Sequence, residues 1–190
     1  RDARVEAWTR LFENRGTMQK AEPNAGHRAL AKLVKEGKIT DVITQNIDNL
    51  QNVAGSRHVT EIHGNRAKAR CMSCGRRYRL ESIDLATLPP RRAECGCVLK
   101  NDVVMFGEPI PADALEECYR QAFRADLFLV VGTSAVVYPA AEFPLMAKRR
   151  GAPLIEINPE ETALSDLADV IIRGPAAVTV PALVELLLIP

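Results

Sequence analysis

Four side chains that lie near one another in the chain have the types that acid–base and ligand chemistry uses: Gln45, Asn46, Asp48 and His63. They follow Ile39, Val42 and Ile43, which read as the end of a buried parallel strand. In open α/β sheets, ligands sit beyond the carboxyl ends of strands. An amide pair, a carboxylate and an imidazole gathered there mark a candidate ligand site. The same residues also suit an Asx-rich turn whose side chains cap their own backbone, and polarity and periodicity leave the two readings level. The second constellation is a group of thiols. Cys71-Met-Ser-Cys74 runs into Gly75, and Cys95-Gly-Cys97 follows later. Four thiolates suit tetrahedral zinc, and a full thiolate shell leaves no open position, so such a zinc is structural. It would hold a module too small to fold on its own core. A redox dithiol at Cys71 and Cys74, or simple buried thiols, are the alternatives. Cys118 stands apart on an apolar helix face and reads as a core thiol.

The elements that must position these residues alternate. Val5, Trp8, Leu11 and Phe12 recur at helical spacing within residues 1–21, which predicts an amphipathic helix laid on the main body. Pro23 and Asn24 open a second helix that Gly37 closes. After the strand ending near Ile43, residues 64–101 break the pattern with the clustered cysteines and the pair Pro89-Pro90, and read as a separate module. Residues 102–106 return as an apolar segment closed by Gly107, Glu108 and Pro109. A helix over 112–125 precedes a buried strand from Leu127 to Val131. A helix from Pro139 to Arg150, strands at Leu154–Ile157 and Ala168–Ile172, and a final helix starting at Pro181 complete the chain. Two more strand ends therefore carry small polar residues, Gly132-Thr133-Ser134 and Asn158. Exposed backbone amides there can bind phosphate or ribose oxygens, although a tight turn with a capping hydroxyl fits Gly-Thr-Ser equally well.

With 190 residues, the chain has room for one sizeable core and a small satellite module. Its formal net charge of +1 gives no reason to expect nucleic acid or an acidic membrane as partner. No apolar run is long enough to span a bilayer, and no signal peptide is visible. Arg1 is not an initiator, so the start has been processed or trimmed. The expected fold class is α/β: a Rossmann-like parallel sheet flanked by helices, formed by residues 1–63 and 102–190, with a small zinc-binding module inserted at 64–101.

Taken together, several stretches resemble the sirtuins, the NAD-dependent protein deacylases. They are Pro-Asn-Ala-Gly-His at 23–27, Thr-Gln-Asn-Ile-Asp-Asn-Leu at 44–50, Ala-Gly at 54–55 and Glu-Ile-His-Gly at 61–64. Beyond the cysteine pairs come Asp-Val-Val-Met-Phe-Gly-Glu-Pro at 102–109, Val-Gly-Thr-Ser at 131–134, Val-Tyr-Pro-Ala at 137–140 and Ile-Glu-Ile-Asn-Pro-Glu at 155–160. The resemblance runs from about residue 21 to the end, and the motifs are specific as a set.

The resemblance implies a Rossmann-like domain and a small zinc-bearing domain, with the substrates meeting between them. It implies His63 as general base, with Asn46 and Asp48 holding the nicotinamide and its ribose. Gln45 and Ile47 would join them in cofactor binding. Gly132, Thr133 and Ser134 would line the dinucleotide site, Asn158 would meet the adenosine ribose with Glu160 in the same motif, and Ala177 would lie near the adenine. Val103, Val104, Met105, Phe106 and Gly107 would pair with the acylated peptide as an added strand, closed by Glu108. Cys71, Cys74, Cys95 and Cys97 would hold one structural Zn2+ per chain. The implied reaction consumes NAD and an acyl-lysine and yields nicotinamide, O-acyl-ADP-ribose and free lysine. An imidazole titrates near neutrality and suits the proton transfer from a ribose hydroxyl. The expected protein is a cytoplasmic monomer acting on acylated lysine in proteins or peptides, with no nucleic acid or membrane partner.

The chain also departs from the family. The opening strand, the Gly-Ala-Gly-Ile-Ser loop and the Pro-Asp-Phe-Arg segment are not in this sequence, although Arg1-Asp2 could be the tail of the last. Their loss would leave an edge or a gap in the parallel sheet. The expectation is an intact enzyme of which this sequence is an incomplete stretch. Asn49 replaces a usual glycine, so the loop's conformation could differ. Gln51 stands where many relatives have histidine, and the second cysteine pair is shortened. Leu11 and Asn14 occupy the places where relatives that remove acidic acyl groups carry tyrosine and arginine, which argues for neutral acyl groups such as acetyl. The alternatives are ADP-ribosyl transfer or NAD hydrolysis, a non-catalytic ADP-ribose-binding module, and a zinc-ribbon adaptor.

Overall fold

The computed structural model describes residues 3–13 and 21–188. In chain order the elements are helices α1 (Ala3–Glu13) and α2 (Ala25–Lys35), strand β1 (Val42–Thr44), the short helix α3 (Leu50–Val53) and strands β2 (Val59–Glu61), β3 (Gly64–Cys71), β4 (Arg77–Arg79) and β5 (Leu99–Val103). Then follow α4 (Ala112–Arg124), β6 (Phe128–Val131), α5 (Glu142–Arg149), β7 (Leu154–Ile157), β8 (Val170–Ile172) and α6 (Ala176–Leu187). The chain divides into two compact units. The larger holds Pro23–Gln45, Gln51–Ile62 and the residues from Ile110 onward; the smaller holds α1, Asn46–Leu50 and His63–Pro109.

All strand pairs of the larger unit are parallel, with Val42 opposite Val59, Phe128 opposite Leu154 and Ile155 opposite Val170. They form two ladders, β1-β2 and β6-β7-β8, and among the described residues no strand pairing joins them. Helices cover the strands. Ala29 and Leu33 of α2 pack with Val180 and Val184 of α6 and Ile157 of β7. Cys118 and Ala122 of α4 pack with Phe143 of α5 and Ile62, where the Tyr119 and Phe143 rings meet edge to face at 5.2 Å. This is the expected α/β class. Asn24 fixes the start of α2: its side-chain oxygen accepts the His27 N–H at 3.1 Å, and the His27 ring nitrogen accepts the Asn24 N–H at 3.3 Å.

Several boundaries differ from the sequence reading, among them the start of β8 at Val170 rather than Ala168. Ile39 lies outside β1 and packs on the α2–α6 cluster instead. Helix α5 begins at Glu142 rather than Pro139. Helix α6 begins at Ala176, after Pro175, and Pro181 sits inside it. Proline in a helix interior removes a hydrogen bond. Here the burial of Val180 and Val184 outweighs that loss and keeps the first turn helical. No helix among the described residues is long and apolar enough to cross a membrane.

The smaller unit is an antiparallel sheet, β4-β3-β5, over a core of Trp8, Ala69, Cys71, Leu80 and Leu99. Helix α1 therefore packs with the cysteine-bearing strands, and the Trp8 indole N–H donates to the Leu99 carbonyl at 3.1 Å. The side chain of Phe12, and Asn14 altogether, lie outside the described residues, as does Arg1-Asp2. The apolar segment 102–106 is only partly strand, because β5 ends at Val103. Beyond it the Val104 N–H donates to the His63 carbonyl at 2.9 Å and the chain turns.

Gly64 permits that approach. It holds φ +79°, and a Cβ there would come within 1.7 Å of the Asp102 carbonyl oxygen. We expect Gly64→Ala to destabilise the protein by about 2 kcal/mol or more, read as a lower denaturant midpoint; an unchanged midpoint would contradict this contact.

Candidate functional site

In the larger unit three strand ends converge on one residue. The Gln45 side-chain amide, just past β1, donates to the Thr133 hydroxyl at 3.1 Å. The Asn158 amide, just past β7, donates to the Thr133 carbonyl at 3.0 Å. The Asn158 oxygen accepts the Glu160 N–H at 3.1 Å, and Thr133 Oγ1 accepts the Ala135 N–H at 3.2 Å. Gln45, Thr133, Asn158 and Glu160 are thus one hydrogen-bonded group. Gly132 and Ser134 flank Thr133 on the exposed side of this turn. Ala177 lies in the first turn of α6, next to Ala176, whose carbonyl comes so close to Gly26 that a Cβ there would sit 2.9 Å away.

Beneath the group lies Glu156, which is fully buried. It accepts from the Thr162 and Ser165 hydroxyls at 2.7 and 3.0 Å and pairs with Arg173. Arg173 also donates to the Glu160 carbonyl. The pair therefore ties β7 to the loop that carries Asn158 and Glu160. Burial pushes the Glu156 carboxyl upward, yet the hydrogen bonds from Thr162, Arg173 and Ser165 prevail and hold it below the usual carboxylate range. A depressed folded-state pKa contributes stability above the unfolded value, and that stability is lost as pH falls through the folded value. Glu156→Gln should thus lower the unfolding free energy at neutral pH, and the difference from wild type should shrink on acidification; a pH-independent difference in urea unfolding would refute this.

The smaller unit carries Asn46, Ile47, Asp48 and His63. Asp48 Oδ1 accepts the Leu50 N–H at 2.9 Å, an Asx turn leading into α3. The Arg66 N–H donates to the Ile47 carbonyl at 3.0 Å, which joins this turn to the strand that His63 precedes. Asn46 is exposed, and Asp48 and His63 are half-buried. Gln45 and Asn46, neighbours in sequence, thus fall in different units. The Asx-turn reading and the ligand-site reading are compatible: Asp48 caps a backbone amide through one oxygen.

Val104 to Glu108 form a loop held by charge. Glu108 accepts from the Met105 N–H at 3.0 Å, from Lys100 at 2.7 Å and from Arg70 at 3.2 Å. Burial alone would raise its pKa, but Lys100 and the Met105 N–H bring it below the ordinary value. The buried Asp102 lies between Arg77 at 2.8 Å and Arg70 at 3.5 Å. With the loop so fixed, Met105 and Phe106 are displayed to solvent beside Gly107. Arg70, Lys100 and Arg173 were invisible to sequence reasoning as members of these networks. A glutamate between two isoleucines in an apolar strand is the one signal that called for a basic partner.

The sulfurs of Cys71, Cys95 and Cys97 lie within 4.8 Å of one another. Tetrahedral zinc at the usual Zn–S distance needs sulfurs about 3.8 Å apart, so the three fit a metal. Cys74 stands outside that set, and its sulfur accepts from Arg92 at 3.1 Å. It remains the neighbour of Cys71, whose pKa is lowered to about 7 by the backbone N–H groups of Cys74 and Ser73. The three clustered sulfurs can hold a structural zinc. Cys118 belongs to the core, and burial pushes its thiol up to about 12. Metal analysis should return about one zinc per chain; Cys71→Ser or chelation should remove it and lower the melting temperature, and a well-folded metal-free protein would refute the site.

Parallel strands with polar residues at their carboxyl ends form the kind of crevice in which open α/β sheets bind ligands, dinucleotides among them. Comparison with known proteins makes this specific. The sequence model of the Sir2 family matches residues 1–139. An NAD-dependent protein deacylase of Thermococcus kodakarensis is 49% identical over 173 residues, covering 87% of this chain and 67% of the relative. A solved Sir2 homologue in complex with NAD superimposes with TM-score 0.80 at 43% identity, over 88% of this chain and 66% of that one. A Sir2 protein bound to a propionylated peptide gives TM-score 0.77 at 39% identity, over 89% and 73%. The chain belongs to the Sir2 family, and it spans about two thirds of the length of these relatives.

Proposed function

We propose that this chain carries the greater part of an NAD-dependent protein-lysine deacylase. The family match over residues 1–139 is the observation that carries the reading. The Thr133 group and the tied turn support it, because both use the residues the chemistry needs.

In this reading Thr133, Asn158 and Glu160, with Gly132, Ser134 and Ala177, hold the adenosine end of NAD, and Gln45, Asn46, Ile47 and Asp48 hold the nicotinamide ribose. NAD supplies the glycosidic bond that breaks. The acyl oxygen of the modified lysine replaces nicotinamide on the ribose carbon, and His63 takes a proton from a ribose hydroxyl so that its neighbour can attack the acyl carbon. Water then completes release of lysine and O-acyl-ADP-ribose. Val103 to Gly107 pair with the peptide backbone, and the ion pairs of Glu108 keep that edge in place. A loop anchored in this way loses little entropy when peptide binds. The acyl group is neutral, since Leu11 packs on the core of the smaller unit rather than offering a polar group. Clustered thiols kept free for metal suit a reducing compartment, and we place the protein in the cytoplasm, as a monomer acting on acyl-lysine rather than on nucleic acid.

Incubation with NAD and an acetyl-lysine peptide should release nicotinamide and O-acetyl-ADP-ribose, with the acetyl peptide preferred over a succinyl one. His63→Ala should lower kcat by about 100-fold or more. NAD loss that does not require peptide would favour NAD hydrolysis instead, and ADP-ribose binding without turnover would reduce the chain to a binding module.

A further inference from the structure

Asn49 holds φ +69°, a left-handed conformation that asparagine enters more readily than most residues but less freely than glycine. The turn thus keeps the backbone shape a glycine would give. What asparagine adds is an amide. Asn49 Oδ1 accepts from Asn65 Nδ2 at 2.7 Å. Chemistry fixes the orientation of this pair. The Ala67 N–H can only donate, so it must meet the Asn65 oxygen, at 2.8 Å. The Asn65 nitrogen is then the atom that faces Asn49, and Asn49 must present its oxygen.

Asn65 is fully buried, two residues after His63. An asparagine is a poor strand residue, and β3 is irregular there: its register against β5 shifts between Asn65 and Ala69. The bulge releases backbone groups from the ladder. The Arg66 N–H goes to the Ile47 carbonyl, and the Arg66 and Lys68 carbonyls both accept from the Asn101 amide at 3.2 Å. The bulge thereby turns the start of β3 toward the turn Asn46–Asn49, and the amide pair closes the connection.

We propose that the Asn49–Asn65 amide pair is a clasp that positions the Asn46–Asp48 turn relative to the strand start carrying His63. The two asparagines are positioning residues, acting through the groups on either side of them. The inference rests on the deacylase reading for its effect on turnover, but the hold on the turn can be read without turnover.

Two substitutions in the zinc-loaded protein separate the possibilities. Asn49→Gly relaxes the backbone and removes the acceptor, so it tests the amide without straining the turn. Asn49→Asp keeps an acceptor oxygen and tolerates the same φ. Hydrogen exchange at the Leu50 and Arg66 amides should speed up about fivefold to tenfold in Asn49→Gly, the size one net hydrogen bond allows. With NAD and acetyl-lysine peptide, kcat should fall by a similar factor, with the peptide KM unchanged. Asn49→Asp should restore both readings. Unchanged exchange in Asn49→Gly overturns the clasp, and faster exchange with unchanged kcat overturns its positioning role. If the wild-type protein shows no NAD-dependent turnover, the deacylase reading fails, and exchange alone decides whether the amide pair holds the turn.

Discussion

Thr133 is the residue on which the candidate dinucleotide half depends. Strand ends expose backbone and side-chain polar groups, and in a folded protein these must find partners. The Thr133 hydroxyl accepts from the Gln45 amide and from the Ala135 N–H, while its carbonyl accepts from Asn158. One residue thus links the ends of β1, β6 and β7. Ala135 is driven to φ +55° just beyond it, a conformation that costs a non-glycine residue energy unless the surroundings determine it. Since Ala135 is buried with Val130, Leu154 and Leu164, packing and hydrogen bonding impose the same shape. A site built this way is stiff before any ligand arrives.

Carboxylates organise the rest of both units. Glu156 beneath the strand ends and Glu108 beneath the displayed loop each sit where burial works against ionisation, and each is compensated by several donors. Asp102 shows the other outcome: burial raises its pKa even though Arg77 and Arg70 oppose the shift. The larger burial cost at Asp102 is what its partners fail to offset. Glu156 gathers hydroxyls and a guanidinium, whereas Asp102 relies on two arginines, with one oxygen at 3.5 Å from its partner.

Much of this was legible in the amino-acid order. The parallel strands, the helix opened by Asn24 and the placing of polar residues at strand ends follow from local pattern, and of those polar residues Gln45, Thr133 and Asn158 bond to one another. Other features depended on partners distant in sequence. That α1 packs with the cysteine-bearing strands follows from Trp8 meeting Leu99, which no local period can announce. The extended start of α6 reflects burial of Val180 and Val184 overriding the local rule for Pro181. Asn49 looked like a departure from a glycine turn, but the left-handed shape is kept, because Asn65 supplies a partner for the side chain. Three of the four expected thiol ligands converge, while Arg92 engages the sulfur of the fourth.

The bond from Trp8 to Leu99 spans 91 positions of the chain. During synthesis the indole can reach the Leu99 carbonyl only after some ninety further residues have emerged, since closure over such a separation is a late event. Cys95 and Cys97 leave the ribosome just ahead of Leu99. Metal capture and burial of the tryptophan thus become possible at almost the same moment. Before it, the segment that becomes α1 lacks the surface on which Trp8 is buried. The N-terminal helix thus finds its place only once the far side of the smaller unit has been made.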